Sequence, residues 1–251
     1  MITVVTSGKG GAGKSTVSAG LACALARRDR RVLLVDGDAG LRSLDVMLGI
    51  AGQAVYDLAD VIAGDCAPAD AVYPSPICPN VFVMPAPVDL ERLAKPEELA
   101  ALCRRLTAFY DDVIIDCPAG IGSGFETATA AAERALVVST PDMVCARDAQ
   151  FMARLLREKG IPARLVINRL RVRPILRGKM PDIDELIDTA SLQLIGVLPG
   201  DEAGAVANAY GKPLPTDSVA SQCFANLAAR YLGEDVPLTP TEKLNRKEGS
   251  R

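Results

Sequence analysis

Residues Gly8–Thr16 read G-K-G-G-A-G-K-S-T, which packs two lysines, two hydroxyls and four glycines into nine positions. Gly8, Gly13, Lys14 and Ser15 fit the phosphate-loop spacing G-x-x-x-x-G-K-[ST]. The chemistry suits that spacing. Glycines let successive backbone N–H groups turn towards a phosphate without Cβ obstruction, and a following helix adds the positive end of its dipole. Lys14 would then reach the β- and γ-phosphates, and the Ser15 hydroxyl would take a place on Mg²⁺. Lys9 is a second cation, which an ordinary phosphate loop does not require. It is either a solvated loop residue or points outward. Pointing outward, it would touch the phosphates of a neighbouring copy and act in trans, as an arginine finger does.

Other acids fall where such a loop needs them. Asp116 follows Val113-Ile114-Ile115 and has the form of a Walker-B carboxylate that holds Mg²⁺ beside the phosphates. A strand-end or helix-capping aspartate is its bland alternative. Asp38 is the candidate for orienting the attacking water, and Asp36 for tuning the magnesium shell. Two solvated turn acids would look the same. Gly8, Gly10 and Gly13 also spell G-x-G-x-x-G, and Asp36 lies about where the ribose-binding acid of a dinucleotide fold belongs. That reading leaves Lys14, Ser15 and Asp38 without a task.

Elements must bring these residues together. Short, continuously apolar runs mark strands covered on both faces: Ile2–Thr6, Val32–Val35, Val81–Met84, Val113–Asp116, Ala135–Thr140, Arg164–Asn168 and Leu192–Val197. Between them lie helix patterns near Lys14–Arg28, Val55–Ala63, Glu97–Tyr110, Gly124–Glu133, Ala146–Lys159, Asp182–Thr189, Asp201–Ala209 and Asp217–Leu232. The alternation predicts an α/β fold: a doubly wound, mostly parallel sheet with helices on both faces and its ligand beyond the strand C-termini. The loop, Asp36 with Asp38, and Asp116 each follow a different strand. No linker divides residues 1–233, which read as one phosphate-loop ATPase domain, and 234–251 read as a flexible tail.

Composition narrows the chemistry. The chain has no histidine, so proton transfer near neutral pH would rest on carboxylates, lysines, water or perturbed thiols. A net charge of −3 argues against wholesale adhesion to nucleic acid. The seven cysteines are scattered without a C-x-x-C, and most are expected to be small, buried, reduced thiols of a cytosolic protein rather than a disulfide or zinc framework. No signal peptide is expected, and no apolar run approaches the ~20 residues that span a bilayer. The expectation is a cytoplasmic protein, peripheral at most on the inner face of the membrane.

The loop's arrangement resembles the deviant Walker-A motif of the MinD/ParA ATPases, whose signature lysine corresponds to Lys9. Asp36–Asp45, D-G-D-A-G-L-R-S-L-D, resembles switch I of the MinD branch, with Ser43 where Asn is usual. Val46-Met47-Leu48-Gly49 and Val55-Tyr56-Asp57-Leu58 continue the likeness, and Asp116-Cys117-Pro118-Ala119-Gly120-Ile121 is similar to switch II. Thr140–Asp142 through Arg147 and Asp148 resembles the segment bearing partner contacts. Asn168 matches the adenine-reading Asn, and Gly196-Val197-Leu198-Pro199 the strand-to-loop that borders the base. The resemblance implies ATP and Mg²⁺ as cofactors. Gly8, Lys9, Gly10, Gly11, Ala12, Gly13, Lys14, Ser15, Thr16, Asn168 and Pro199 would bind nucleotide. Ser15, Asp36 and Asp116 would hold the metal, and Lys9, Lys14 and Asp38 would act in catalysis. It further implies an ATP-bound homodimer with Lys9 crossing the interface, slow hydrolysis stimulated by a partner, and a role in division-site placement. A division inhibitor and an ATPase activator would be its partners.

Two segments depart from that pattern. After Pro240 the only sizeable apolar residue is Leu244, where the MinD branch usually ends in an amphipathic helix. Burying one leucine gives about 1.5–3 kcal/mol, so the tail is not expected to hold a bilayer by itself. Arg169, Arg171, Arg173, Arg177 and Lys179 form a basic run that reads as a solvated loop, or as a contact for anionic lipid or DNA. The alternative function is therefore a partition ATPase that binds DNA in its ATP-bound dimer. An iron–sulfur reductase of the same superfamily would need a cysteine pair near the switch loops, and Cys117 has no evident partner there.

Overall fold

The structure is a computed structural model, and it describes residues 1–200, 206, 207, 210–239 and 244. Eight strands form one sheet in the order β3-β4-β2-β5-β1-β6-β7-β8. They are β1 (Ile2–Thr6), β2 (Val32–Asp36), β3 (Tyr73–Pro74), β4 (Val81–Met84), β5 (Asp112–Asp116), β6 (Arg134–Ser139), β7 (Ala163–Leu170) and β8 (Leu194–Pro199). All neighbours run parallel except β3, which pairs antiparallel with β4 at the edge. Because each parallel crossover carries a helix, both faces are covered and every residue of β1, β2 and β5 is buried. This is the doubly wound sheet expected from the apolar runs.

Side chains alternate across the sheet, so one strand feeds two cores. Val4, Leu33, Val35, Val113 and Ile115 face α4 (Pro96–Leu106), α5 (Ser123–Thr129), α6 (Met143–Glu158) and α8 (Ile183–Ala190). Val5, Val32, Leu34 and Ile114 face α1 (Lys14–Ala26) and the final helix, α9 (Val219–Tyr231). Leu34 is fully buried in that second core, and its truncation to Ala would cost about 2–5 kcal/mol. By the same alternation Asp36 and Asp116 share the α1 face with Leu34 and Ile114. They are also direct cross-strand partners.

Helix boundaries follow caps rather than periodicity. Asp57 caps α3 (Leu58–Ala63) with a reciprocal Asp60 contact, and Asp142 caps α6 through the Cys145 N–H at 2.9 Å. The first therefore starts later than the apolar pattern suggested, and the second earlier. The short helices α2 (Ser43–Met47) and α7 (Val172–Leu176) and the edge strand β3 were not anticipated. Most of the expected helix Asp201–Ala209 lies outside the described residues.

Cys23 and Cys78 are joined as a disulfide, with Cα atoms 5.8 Å apart, so the cysteines are not uniformly free thiols. Contacts with the sheet-and-helix core extend past Gly233. Glu234 pairs with Arg28, Arg230 donates to the Val236 carbonyl at 2.8 Å, and Asn226 donates to Thr239 Oγ1 at 3.1 Å. Leu244, the one sizeable apolar residue after Pro240, is partly buried against both cores.

Candidate functional site

The loop between β1 and α1 is shaped by two glycines in the left-handed region, Gly11 at φ +81° and Gly13 at φ +93°. A side chain at Gly13 would also strike the Asn168 amide, whose Nδ2 would lie 2.2 Å from a Cβ. At Gly8 a Cβ would come within 2.7 Å of the Asp148 Cβ. The loop is thus clamped between β7 and α6, while Gly11 faces open space. Ser7 ties the turn by donating to the Lys9 carbonyl at 2.7 Å.

The two lysines part company. Lys14 is 7% exposed and lies near enough to Asp38 and Asp116 to lower both carboxyls electrostatically, against their burial. Lys9 is exposed; against burial, hydrogen bonds from Thr140 and Cys145 hold down the Asp142 carboxyl at the start of α6, and the Lys9 charge adds a lesser share. One amine therefore lines the loop and the other stands outside it.

Three carboxyls crowd the ends of β2 and β5. Asp36 is fully buried; burial, then the neighbouring Asp116, push its carboxyl up to about 8. Its Oδ1 accepts the Asp38 N–H at 2.9 Å, and its Oδ2 has no partner among the described residues. Asp116 is likewise fully buried and pushed up to about 6 by burial, against hydrogen bonds from Ser15 and Ser18. Its Oδ2 is unmatched as well. Asp38 is half-buried and raised mainly by burial. Buried acids with unmatched oxygens are expensive unless charge arrives from elsewhere. Hard oxygen donors around a phosphate loop are the set that Mg²⁺ prefers, so the residues fit that ion.

Ser18 was missed by the sequence reading, although it donates to Asp116 Oδ1 at 3.0 Å. Its position one turn after Lys14 on α1 was the available signal. Ser43 was noted only as a departure, yet its hydroxyl donates to Ser15 Oγ at 3.1 Å. Asn168 is buried against the loop: its Nδ2 donates to the Ala12 carbonyl at 2.9 Å and its Oδ1 accepts the Arg169 N–H at 3.0 Å. Pro199 ends β8 beside it, where the Gly200 N–H reaches the Leu170 carbonyl at 2.9 Å. Arg147 is exposed on α6, and Asp148 packs under Gly8. Arg169, Arg171, Arg173, Arg177 and Lys179 are exposed and form no ion pair among the described residues. Among the described residues, no helix is long and apolar enough to cross a membrane.

Comparison with known proteins agrees with this geometry. Residues 3–214 match the family described as the CobQ/CobB/MinD/ParA nucleotide binding domain. The chain is 41% identical over 249 residues to the septum site-determining protein MinD of Bacillus subtilis, covering 97% of this chain and 93% of that one. Among solved structures it resembles MinD in a MinC:MinD cell division complex of Aquifex aeolicus, with TM-score 0.89, 31% identity and coverage of 95% and 98% of the two chains. It also resembles the Pyrococcus horikoshii MinD protein complexed with Mg-ADP, with TM-score 0.83, 31% identity and coverage of 92% and 95%.

Proposed function

The chain belongs to the CobQ/CobB/MinD/ParA nucleotide-binding family, and from that premise we propose that it is a MinD-like ATPase switch for septum placement that works as an ATP-bound homodimer. The observation that carries the reading is the split between the lysines. Lys14 is buried in the loop beside Asp38 and Asp116, whereas Lys9 stands exposed at its rim. Apolar side chains are exposed beyond the C-terminal ends of neighbouring strands: Leu41 after β2, Ile121 after β5 and Val144 at the start of α6 after β6. They suit a face that a second copy covers in the nucleotide-loaded state.

The chain's residues divide the work. The N–H groups of Gly8–Thr16 cradle the phosphates, Lys14 meets the β- and γ-oxygens, and Asn168 and Pro199 border the base. Ser15, Asp116 and Asp36 would hold Mg²⁺, which when bound spreads positive charge over the phosphate oxygens. Asp38 orients the attacking water, because a loose transition state asks mainly for positioning. Lys9 of the second copy adds the cation that the first lacks. Helix α6 touches the loop through Asp148 and carries Arg147 outward, so a division inhibitor or activator docked there would act on Lys9 and Gly8. The protein is expected in the cytoplasm, peripheral at most at the inner face of the membrane. Septum site-determining relatives favour this reading over partition. If partition were correct, the ATP-loaded dimer would sediment with DNA in a salt-sensitive way through Arg169–Lys179.

The test is Lys9→Ala. The variant should still bind ATP, remain monomeric by analytical ultracentrifugation with ATP and Mg²⁺, and lose about 10³-fold or more of partner-stimulated turnover. An ATP-dependent dimer equal to the wild type would overturn the assignment.

A further inference from the structure

Cys23 lies on α1, eight residues beyond Ser15, and Cys78 lies in the turn between β3 and β4. Their sulfurs are joined across 55 residues of chain, and the Cα separation of 5.8 Å needs no backbone movement to accommodate the bond. The turn that carries Cys78 is tied in turn to switch I. Ser75 Oγ donates to the Leu48 carbonyl at 2.9 Å and accepts the N–H groups of Ile77 and Cys78 at 3.2 Å each. Leu48 closes α2, and Ser43 at the other end of that helix donates to Ser15 Oγ. Ser15 returns the path to α1. The contacts form a ring: α1, Cys23, Cys78, Ser75, α2, Ser43 and back to α1. Its remaining joints between separate segments are hydrogen bonds. Only the sulfur link can be made or broken by chemistry while the sequence stays constant.

We propose that Cys23 and Cys78 form a reversible oxidation site that fastens the switch-I helix to the phosphate-loop helix. Disulfides inside reducing compartments are rare and tend to respond to redox state rather than serve as permanent staples. The reactant is a low-molecular-weight disulfide. Cys23 is half-buried and Cys78 only 5% exposed, so Cys23 is the point of entry. Its thiolate attacks one reagent sulfur, the reagent's S–S bond breaks, and one small thiolate leaves. The Cys78 thiolate then attacks Cys23 Sγ and expels the second small thiolate. The protein loses two electrons and two protons, and the reagent gains the two electrons. Cys103 and Cys117 do not compete, because burial pushes both thiols up to about 12.

The experiment needs no nucleotide, so its outcome is separate from that of the ATPase reading. The full chain is equilibrated with glutathione disulfide or with dithiothreitol, free thiols are alkylated, and peptides are mapped by mass spectrometry. Amide hydrogen exchange over residues 44–50 is followed in both states. The expected result is a Cys23–Cys78 cross-linked peptide that dithiothreitol removes, with exchange in residues 44–50 several-fold slower in the oxidised protein. Cys23→Ser should abolish both effects, and Cys66→Ser should preserve both. If Cys23→Ser does not fold, Cys78→Ala serves the same purpose. Alkylation of both cysteines after oxidation would overturn the site. A cross-link that leaves exchange at 44–50 unchanged would overturn the fastening of switch I.

Discussion

Strand β5 begins and ends on an aspartate, and the two ends are built on opposite principles. Asp112 and Asp116 are both fully buried and both face α1 and α9. Asp112 is closed in: Oδ1 accepts the Tyr231 hydroxyl at 3.1 Å, and Oδ2 accepts Arg30 Nε. Tyr231 also shares a hydrogen bond with Thr3 at 2.9 Å and lies under the Arg134 guanidinium, 3.5 Å from the ring centroid. Asp116 receives only serine hydroxyls, keeps one oxygen unmatched, and sits in register beside Asp36, which is unmatched too. Burial is equal, so burial does not explain the difference. The N-terminal end carries its own countercharge and holds the sheet to α9. The C-terminal end is left short of positive charge, and that shortage is what a metal–nucleotide complex would meet.

The comparison is broken most directly at the closed end. Asp112→Ala leaves the buried Tyr231 hydroxyl with only Thr3 and leaves Arg30 without its carboxylate. The expected loss of stability is about 2–4 kcal/mol, towards the lower end for such pairs because Arg30 is partly solvated. Urea unfolding at constant m-value measures it. An unmoved midpoint would mean that the network is ornamental and that the two ends do not differ in kind.

The open end should respond in the opposite direction. Asp36→Asn removes a carboxyl that the folded, metal-free protein keeps protonated near neutral pH while the unfolded chain ionises it, so stability should rise by about 1–2 kcal/mol near neutral pH while Mg²⁺-dependent nucleotide binding falls. The sign in pH follows from the raised carboxyls. Asp36 at about 8 and Asp116 at about 6 bind protons more tightly folded than unfolded. Their contribution is complete below the unfolded value of 3.8 and is lost as pH climbs through about 6 and then about 8. Thermal melts of the metal-free protein across that window should show the decline, and Asp36→Asn should flatten its upper part. A flat wild-type profile would show that something already neutralises the open end.

Much of this contrast was legible in the sequence, for reasons that also mark where legibility stops. Asp36 and Asp116 could be nominated because each ends a continuous apolar run, with Asp38 two residues beyond the first, and a buried parallel strand announces its own C-terminus. The loop was found because its spacing is local. The capping pair Asp57 and Asp60 was equally local and would have placed α3 correctly had it been weighed against the apolar pattern. What could not be read were contacts between segments distant in sequence. Tyr231 with Asp112, Asn168 with Ala12, and Cys23 with Cys78 are set by sheet order and helix docking, which no single stretch encodes. Five-residue helices such as α2 and α7 are too short for periodicity to speak, and β3 has only two residues.

The smallest effect sharpens the comparison most finely, because it concerns hydroxyls rather than charge. Ser43 occupies the position where the resembling switch carries Asn, and it donates to Ser15 Oγ at 3.1 Å, close to the Asp116 carboxyl that Ser15 helps to lower. The hydroxyl oxygen of Ser15 has two lone pairs, so Ser43 can take one and leave the other for a cation. On that geometry Ser43 orients the metal-binding hydroxyl before nucleotide arrives. Ser43→Ala should therefore raise the Mg²⁺ concentration for half-maximal nucleotide binding by about twofold to tenfold, the worth of one neutral hydrogen bond. Ser43→Asn keeps a donor and should restore most of the loss, which a merely structural role would not require. Fluorescent-nucleotide titration against Mg²⁺ separates the alternatives. Tighter binding in Ser43→Ala would mean that the two serines compete with the ion. The open end would then be held partly closed by its own hydroxyls, and the contrast along β5 would be one of degree.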